Sequence, residues 1–208
     1  MKYQLILSDV DSTLIEGEVI DLLAKRSGNG EAVAKITRAA MAGELDFQSA
    51  LIERVECLSG LPLEALTEVA AEINLSPGAL ELREFCREKE IAFGAVTGGF
   101  YQVLNQISFF RELDFLRANS LQVKDGALTG KIEGEIVDRS AKARFLAEFA
   151  EQRKVGMSAC VAIGDGANDL EMIEQAGLGI SFRGKEILNK AADIAISSTL
   201  VEVIPLLK

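Results

Sequence analysis

The sequence contains no histidine and no tryptophan, and only three cysteines and three prolines among its 208 residues. Without histidine, the chain cannot use Ser-His-Asp triads, His-ligated zinc or phosphohistidine chemistry. No cysteine has an arginine six residues downstream, which excludes the Cys-dependent phosphatase loop. Proton transfer and nucleophilic attack are therefore left to carboxylates, amines, thiols or a bound metal ion.

Other scarce features limit the partners and the compartment. The cysteines at 57, 86 and 160 are far apart in apolar surroundings, which predicts buried reduced thiols rather than disulfides or a zinc cluster. No apolar run reaches the ~18 residues of a membrane span, and the N-terminus has no signal-peptide pattern. We therefore expect a cytoplasmic protein with no membrane partner. The net charge of -10 leaves no basic footprint for nucleic acid, although an anionic small molecule can still bind locally.

Short apolar stretches alternate with helix-patterned segments, which predicts the α/β class with a doubly wound parallel sheet. The predicted strands are LILSDV, IAFGAVT, ACVAIGD, LGISF and ADIAIS. The predicted helices are Pro77–Lys89, Gly99–Leu113, Ser140–Arg153, Asn168–Ala176 and Thr199–Leu207. LQVKDGALTGKIEGEIV has Asp125-Gly126 between alternating residues and predicts a β-hairpin beside the sheet.

A long segment without strand signal separates the first two predicted strands. It is roughly 60 residues with several helical periods, far more than one crossover helix with short loops requires. This predicts an inserted helical cap domain over residues 16–74, with residues 1–15 and 75–208 forming a catalytic α/β core. Breaks between the cap helices are expected at 28–30, 43 and 60–62, where glycines lie.

Asp9 and Asp11 close the first apolar run and are followed by Ser12 and Thr13. Residues two apart on a strand point the same way, so these carboxylates should crowd together. Such crowding is costly unless a cation or a shared proton relieves it, and a bound Mg²⁺ would do so. The alternative is a helix N-cap or turn built from Asp, Ser and Thr.

Ligands of an open parallel sheet bind at the carboxyl ends of its strands, so the residues after each run should share one crevice. Thr97-Gly98-Gly99 follows the second run and is predicted to lead into a helix. The hydroxyl and the free N–H groups of this segment, with the helix dipole behind them, would bind a phosphate. An ordinary N-cap is the alternative. Asp165 and Asp169 in GDGANDL place two acids where a hard cation could bind, with helix capping as the alternative.

Three charged residues, Lys142, Arg54 and Glu18, are candidates for binding a charged ligand, and each also has an ordinary structural explanation. Lys142 is in the first turn of a predicted helix, where a nearby anion would justify it, although lysines are usually solvated. Arg54 falls in an apolar helix stripe seven residues after Phe47, so it should pair with an anion, unless its head reaches solvent. Glu18 opens the first cap helix, where an acid is favourable in any case.

The motifs DVDST, VTGGF, the Lys142 segment and GDGANDL, in this order around a helical insert, resemble the haloacid dehalogenase superfamily. More narrowly, MAGELDF, the Phe47-to-Arg54 spacing and VKDGALTG resemble the phosphoserine phosphatase family in its short form, without the regulatory domain of longer members. The resemblance covers essentially the whole chain. It implies Mg²⁺-dependent hydrolysis of a small molecule, phosphoserine, through an aspartyl-phosphate, as the last step of serine biosynthesis.

The resemblance also implies a role for individual residues. Asp9 would be the nucleophile, and Asp11 the general acid and then the general base. The expected Mg²⁺ ligands are the Asp9 carboxylate, the Asp11 main-chain carbonyl and Asp165, with Asp169 behind them. The expected phosphoryl-binding residues are Thr97, where the family usually has Ser, and Gly98, Lys142 and Asn168. The expected serine-binding residues are Arg54 for the carboxylate and Glu18 for the ammonium, with Met41 and Phe47 closing the pocket.

Two other functions fit part of the pattern. One is a phosphatase or phosphotransferase for another small phosphomonoester, with an alcohol such as homoserine as acceptor. The opposite charges of Arg54 and Glu18 suit a zwitterion and therefore argue against a sugar phosphate as the substrate. The other is a non-enzymatic phospho-switch receiver, which also uses an acidic pocket, a hydroxyl and a lysine. A receiver has no need of a general acid or of a cap, and the chain is too long for one.

Overall fold

The computed structural model describes residues 2–41 and 43–208, and its centre is a seven-stranded sheet in the order β4-β3-β2-β1-β5-β6-β7. The strands are β1 Leu5–Ser8, β2 Ala92–Phe100, β3 Phe115–Lys124, β4 Ala127–Glu133, β5 Cys160–Gly164, β6 Leu178–Phe182 and β7 Ile194–Ile196. Neighbouring strands are parallel except β3 and β4. The predicted α/β class is confirmed.

Helices connect the strands and cover both faces of the sheet. The α-helices are α1 Val19–Arg26, α2 Gly30–Met41, α3 Phe47–Glu56, α4 Leu63–Glu72, α5 Ala79–Glu88, α6 Tyr101–Leu104, α7 Ser108–Arg111, α8 Arg139–Arg153, α9 Leu170–Gln175 and α10 Glu186–Ala191. Short 3₁₀ helices span Met157–Ala159, Ala167–Asp169 and Leu200–Leu207. Within the described ranges, every helix is too short or too polar to span a bilayer.

Strand β1 lies at the centre of the sheet and is buried on both faces, which explains its continuous apolar run. Leu5 and Leu7 belong to the apolar cluster that contains Phe149 of α8. Ile6 points the other way, into the cluster that contains Leu82 of α5. Side chains of a strand alternate between its two faces, so this split places helices on both sides. The doubly wound arrangement is confirmed.

The strand order reverses direction at β1. From β1 the chain continues through β2, β3 and β4 on one side, and then returns to β5 on the other side. The carboxyl ends of β1 and β5 therefore flank a topological switch point, where the connections diverge and leave a crevice. The segments that follow these two strands carry Asp9 and Asp165.

Five helices lie between β1 and β2, and the first four, α1 to α4, lie within the predicted helical insert, which is confirmed. The two connecting segments that enter and leave the insert run antiparallel to each other. Glu16 N donates to Asn74 O at 2.9 Å, and Ser76 N donates to Leu14 O at 2.9 Å. These hydrogen bonds lie at the predicted cap boundaries. The division of the chain into a core domain and a cap domain stays a prediction.

The predicted hairpin is present as β3 and β4, but it is the edge of the sheet rather than a separate unit beside it. The first half of β3, from Phe115, pairs in parallel with β2 and was not predicted from the sequence. The hairpin also binds the insert, because Gly60 N donates to Leu128 O at 2.8 Å and Leu63 N to Gly126 O at 3.1 Å. The hairpin therefore connects the sheet to the α3–α4 loop.

Two predicted helices differ in form from the structure, although a helix is present at the C-terminal position. In place of a helix over 99–113, β2 continues to Phe100, and the short helices α6 and α7 follow with a break at Asn105–Ile107. Two adjacent glycines, Asn105 and the β-branched Ile107 are poor helix formers, which favours this interruption. The C-terminal helix is 3₁₀ rather than α, and Pro205 within it lacks the N–H that an α-helix would use.

The three cysteines are free thiols, as predicted. Cys86 and Cys160 are buried, while Cys57 is only partly buried. Burial raises the pKa of Cys86 to about 12 and that of Cys160 to about 11. The nucleophilic thiolate is therefore scarce at both buried positions at neutral pH.

We predict that a thiol-specific disulfide reagent labels the folded protein at Cys57 only, and all three cysteines after denaturation. The measurement is thiol release with time, with and without denaturant. Cys57→Ser should remove the labelling of the native protein while leaving two thiols in the unfolded chain. Rapid native labelling of that variant would contradict the burial of Cys86 and Cys160.

Candidate active site

The ends of three neighbouring strands form the candidate site. Asp9 follows β1, and its N–H donates to Ile163 O of β5 at 2.8 Å, which fastens the two strand ends together. On the other side of β1, Thr97 of β2 donates from Oγ1 to Asp11 Oδ2 at 2.7 Å. The structure therefore brings together the acidic loop after β1 with the segments of β2 and β5 that the sequence analysis selected.

Lys142 contacts two of the buried carboxylates of the site. It lies in the first turn of α8, is fully buried, and donates from Nζ to Asp9 Oδ1 and, at 2.6 Å, to Asp169 Oδ1. Burial opposes its charge, but the carboxylates of Asp169 and Asp9 outweigh burial and raise the pKa of Lys142. The solvated alternative for this lysine was wrong, because two anions justify its position.

Asp9 is buried among more negative charge than Lys142 compensates. Burial raises the pKa of Asp9 well above its usual value, against the lowering effect of Lys142, and the nearby carboxylates of Asp169, Asp165 and Asp11 raise it further. Thr13 Oγ1 lies 3.5 Å from Asp9 Oδ2, so hydrogen bonding adds little. A cation beside Asp9 would favour its ionised form.

Three carboxylates could contribute to a cation site. One oxygen from each of Asp9, Asp165 and Asp169 lies within 4.8 Å of the others. Asp165 is half-buried, and burial, followed by the charge of Asp169, raises its pKa to about 6. Carboxylate oxygens are the donors that hard divalent cations prefer, so the chemistry of this cluster fits a metal ion.

Asp169 differs from the other two carboxylates because its hydrogen bonds are already made within the protein. Its Oδ2 accepts from Asp165 N at 3.1 Å and from Gly166 N at 3.0 Å, while Oδ1 accepts from Lys142. Its side chain also packs so closely on Gly164 that a Cβ there would clash. Asp169 therefore shapes the loop that presents Asp165.

Asp11 is held in a different environment from Asp9. Strand β1 ends at Ser8, so the two carboxylates are not successive positions of one strand face as predicted, and a turn brings them together. Asp11 Oδ1 accepts from Val19 N at 2.8 Å and Oδ2 from Thr97. Burial raises the pKa of Asp11, and these two hydrogen bonds offset part of the effect.

The phosphate seat expected at Thr97-Gly98-Gly99 was wrong in one respect. These residues belong to β2, and the following helix α6 begins only at Tyr101 and is four residues long. The Gly99 N–H is not free, because it donates to Thr97 Oγ1 at 2.8 Å. A helix dipole therefore does not lie directly behind this segment, although Thr97 and Gly98 remain at the crevice as predicted phosphate-binding residues.

Asn168 lies in the 3₁₀ turn Ala167–Asp169 that follows β5, and its side chain is half-buried. Its amide oxygen packs against Gly166, where a Cβ would clash. The glycine therefore allows the turn to fold back over the loop of Asp165. This keeps Asn168 at the same strand end as the carboxylate cluster, where its role in phosphoryl binding stays a prediction.

The insert brings Arg54 and Glu18 toward this crevice. Burial lowers the pKa of Arg54, while the charges of Glu18, Asp21 and Asp11 oppose that effect, so the guanidinium lies within their influence. Arg54 Nε donates to Ala50 O at 3.2 Å, and no ion pair of Arg54 occurs among the described residues. The predicted anionic partner is therefore not a side chain in direct contact.

Glu18 occupies the N-cap position of α1 without a side-chain capping hydrogen bond, and the residue is exposed to solvent. The surrounding protein still raises its pKa to about 7, first by desolvation and then through the charges of Asp11 and Asp165. Phe47 of α3 lies over Gly98, with its ring 3.4 Å from where a Cβ would stand. The side chain of Met41, which was also predicted to close the pocket, lies outside the described residues.

Two polar residues of the site were missed by the sequence analysis. Asn119 of β3 is fully buried and bonds to the main chain of Gly98 and Val137. Asp138 caps α8, accepting from Ala141 N at 2.9 Å. Asp138 could have been identified as an N-cap from the sequence DRSA, whereas a single asparagine in a strand pattern gives no comparable signal.

We predict that Lys142→Met destabilises the fold by about 3–5 kcal/mol, because removal of one partner leaves buried carboxylates uncompensated. The measurement is the free energy of unfolding in urea, with a chelator present so that metal binding does not contribute. Lys190→Met is the matched control, because its pair with Glu186 is exposed and should contribute little. Equal stability of both variants would contradict a structural role for the buried pair.

Comparisons with known proteins agree with this geometry. A phosphoserine phosphatase of Streptomyces coelicolor is 45% identical over 201 residues, which cover 97% of this chain and 49% of that protein. One of Lactococcus lactis is 44% identical over 192 residues, covering 92% of this chain and 89% of that protein. The chain thus spans about half the length of some curated relatives.

The fold has a matching solved structure, described as a phospho-aspartyl intermediate analogue of phosphoserine phosphatase. The two chains superpose with a TM-score of 0.91 and 40% identity, and the match covers 100% of both. Residues 6–174 of this chain also match the family described as haloacid dehalogenase-like hydrolase. The resemblance inferred from the motifs is therefore confirmed, and the chain belongs to the haloacid dehalogenase-like hydrolase family.

Proposed function

We propose that this protein hydrolyses O-phospho-L-serine to L-serine and inorganic phosphate. The observation that carries the proposal is the pair of buried carboxylates after β1, with Asp9 bonded to Lys142 and Asp11 bonded to Thr97. The similarity to phosphoserine phosphatases over nearly the whole chain supports the same substrate. A receiver switch has no support, because the family is one of hydrolases.

The reaction would proceed in two steps on Asp9. An Asp9 carboxylate oxygen attacks phosphorus, the bond between phosphorus and the serine oxygen breaks, and Asp11 donates a proton to that oxygen. Asp11 then takes a proton from water, which attacks the aspartyl-phosphate and releases phosphate. The solved structure described as a phospho-aspartyl intermediate analogue supports this type of intermediate.

The proposed cofactor is Mg²⁺, held by carboxylate oxygens of Asp9 and Asp165 and by the main-chain carbonyl of Asp11. No backbone N–H of the described residues donates to that carbonyl, which supports its availability as a ligand. Asp169 would orient the loop rather than bind directly, since its oxygens already accept three hydrogen bonds. When bound, Mg²⁺ would neutralise charge on Asp9 and on the phosphoryl oxygens.

Four residues would bind the phosphoryl oxygens as charge spreads over them in the transition state. They are Thr97, Gly98, Lys142 and Asn168. Lys142 would contribute a fixed positive charge that burial in the core prevents from moving away. Fixed donors of this kind cost no reorganisation during the reaction, which is why they stabilise the transition state.

The serine part of the substrate would lie between Arg54 and Glu18. A zwitterion needs one cation and one anion, and Arg54 lacks a contacting carboxylate of its own among the described residues. Residues 16–74 would form the cap domain that closes over this pocket, with residues 1–15 and 75–208 as the core. Closure would exclude water until the product leaves.

We predict that Asp9→Asn abolishes phosphate release from phosphoserine, because an amide is not a nucleophile that can form the acyl phosphate. Chelation should abolish the wild-type reaction, and Mg²⁺ should restore it. Phosphate release is the measurement, and Asp125→Asn, at an exposed hairpin turn, is the matched control. Substantial turnover by Asp9→Asn would contradict the proposed nucleophile.

We predict that Arg54→Met lowers kcat/KM for phosphoserine by about 100-fold, since a charged hydrogen-bond partner contributes roughly 2–3 kcal/mol. An aryl phosphate lacks the amino-acid carboxylate, so its hydrolysis should change little. Arg26→Met is the matched control, because Arg26 pairs with Glu68 at 2.6 Å within the insert. An equal loss on both substrates would show that Arg54 supports the fold, and a wild-type preference for a sugar phosphate would overturn the substrate.

A further inference from the structure

The pairing of β2 with β3 is interrupted at the candidate site. Val96 is opposite Arg117, and the next aligned pair is Phe100 with Asn119. Residues 97–99 of β2 therefore stand opposite the single residue Ala118 of β3. Such a bulge removes ladder hydrogen bonds and redirects the backbone, so other groups must satisfy the main chain there.

The Asn119 side chain satisfies the main chain at this bulge. Its Nδ2 donates to Gly98 O at 2.8 Å, and its Oδ1 accepts from Val137 N at 2.8 Å. The side chain is fully buried, so neither partner could easily find a water molecule in its place. Asn119 thus joins two segments that are 39 residues apart in the sequence.

Both segments lead directly to residues of the proposed phosphoryl site. Gly98 is itself one of them and follows Thr97. Val137 precedes Asp138, whose carboxylate caps α8, and Lys142 lies in the first turn of that helix. The distance between the β2 side of the site and the lysine is therefore set through the two hydrogen bonds of Asn119.

We propose that Asn119 is a positioning residue for phosphoryl transfer, which holds Gly98 and the start of α8 at the separation that the transferring group requires. This inference rests on the proposed phosphatase function, because it concerns the same site. Asn119 touches neither the carboxylate cluster nor the substrate-binding charges of the insert. A substitution of Asn119 should therefore affect only the binding and transfer of the phosphoryl group, by the same factor whichever alcohol carries that group.

Asn119→Leu keeps a similar side-chain volume and removes both hydrogen bonds. We expect kcat/KM to fall by about 10- to 100-fold, the usual effect of losing a residue that orients direct ligands or of a misplacement near 1 Å. The loss should be equal for phosphoserine and an aryl phosphate, in contrast to Arg54→Met. Inhibition by inorganic phosphate should weaken in parallel.

A second variant keeps the test informative if Asn119→Leu does not fold. Asn119→Asp keeps the acceptor for Val137 N–H, but its ionised carboxylate faces the Gly98 carbonyl and repels it. When protonated, the carboxyl group can donate to that carbonyl as the amide did. The activity of Asn119→Asp relative to wild type should therefore recover as the pH is lowered, which a purely structural role would not produce.

Asp114→Leu is the matched control at the opposite end of β2. Its Oδ2 accepts from Phe93 N at 2.9 Å, so its loss also removes a side-chain bond to this strand. Thermal melting of each variant measures the stability change, and kinetics are compared per folded molecule. The inference is overturned if Asn119→Leu melts lower but keeps kcat/KM within about twofold of wild type, as Asp114→Leu should.

The two proposals can fail separately. If the wild type hydrolyses the aryl phosphate but not phosphoserine, the substrate is wrong, and Asn119 is still tested with the aryl phosphate. Calorimetric binding of inorganic phosphate gives a second readout that requires no turnover. Unchanged phosphate affinity in both Asn119 variants would overturn the positioning role.

Discussion

The buried contact of Lys142 with Asp9 and Asp169 is the constraint on which the site depends. It connects α8 to the loops after β1 and β5, which are distant in sequence. Charges in the interior are costly unless they are paired and hydrogen-bonded, so these three segments cannot move independently. Asp169 extends the constraint to the backbone of Asp165 and Gly166. The fold thus holds the carboxylate cluster in place by pairing buried charges.

Hydrogen bonds connect the insert to the core at several places of different strength. Main-chain hydrogen bonds join the segments 14–16 and 74–76, and others join the hairpin to the α3–α4 loop. At the site, the buried Val19 N–H donates to Asp11 Oδ1 at 2.8 Å, and an exposed contact, from Gln48 Nε2 to Asp138 Oδ2 at 2.7 Å, links α3 to the N-cap residue of α8. An exposed hydrogen bond contributes about 1 kcal/mol, so the contact from α3 is a weak connection between the insert and the core.

The sequence predicted the parts of the fold that depend on the spacing of apolar residues and on the polar residues at the ends of strands. The parallel strands, the helical insert and the acidic loops follow from apolar runs and from the polar residues after them. The bulge at 97–99 could not be predicted, because it depends on the register between β2 and β3. Asn119 was missed for the same reason, since its importance lies in contacts across 21 and 18 residues. Long-range pairing leaves little local signal.

The neighbours of Asp9 and Asp11 are consistent with the different roles proposed for these two carboxylates. Burial raises the pKa of both. The difference lies in what each carboxylate contacts: Asp9 meets the ammonium of Lys142, whereas Asp11 meets the neutral donors Val19 N–H and Thr97 hydroxyl. A cation in the cluster with Asp165 would act chiefly on Asp9 and keep it ionised. Asp11, without a contacting cation, is the carboxyl group better suited to hold and release a proton.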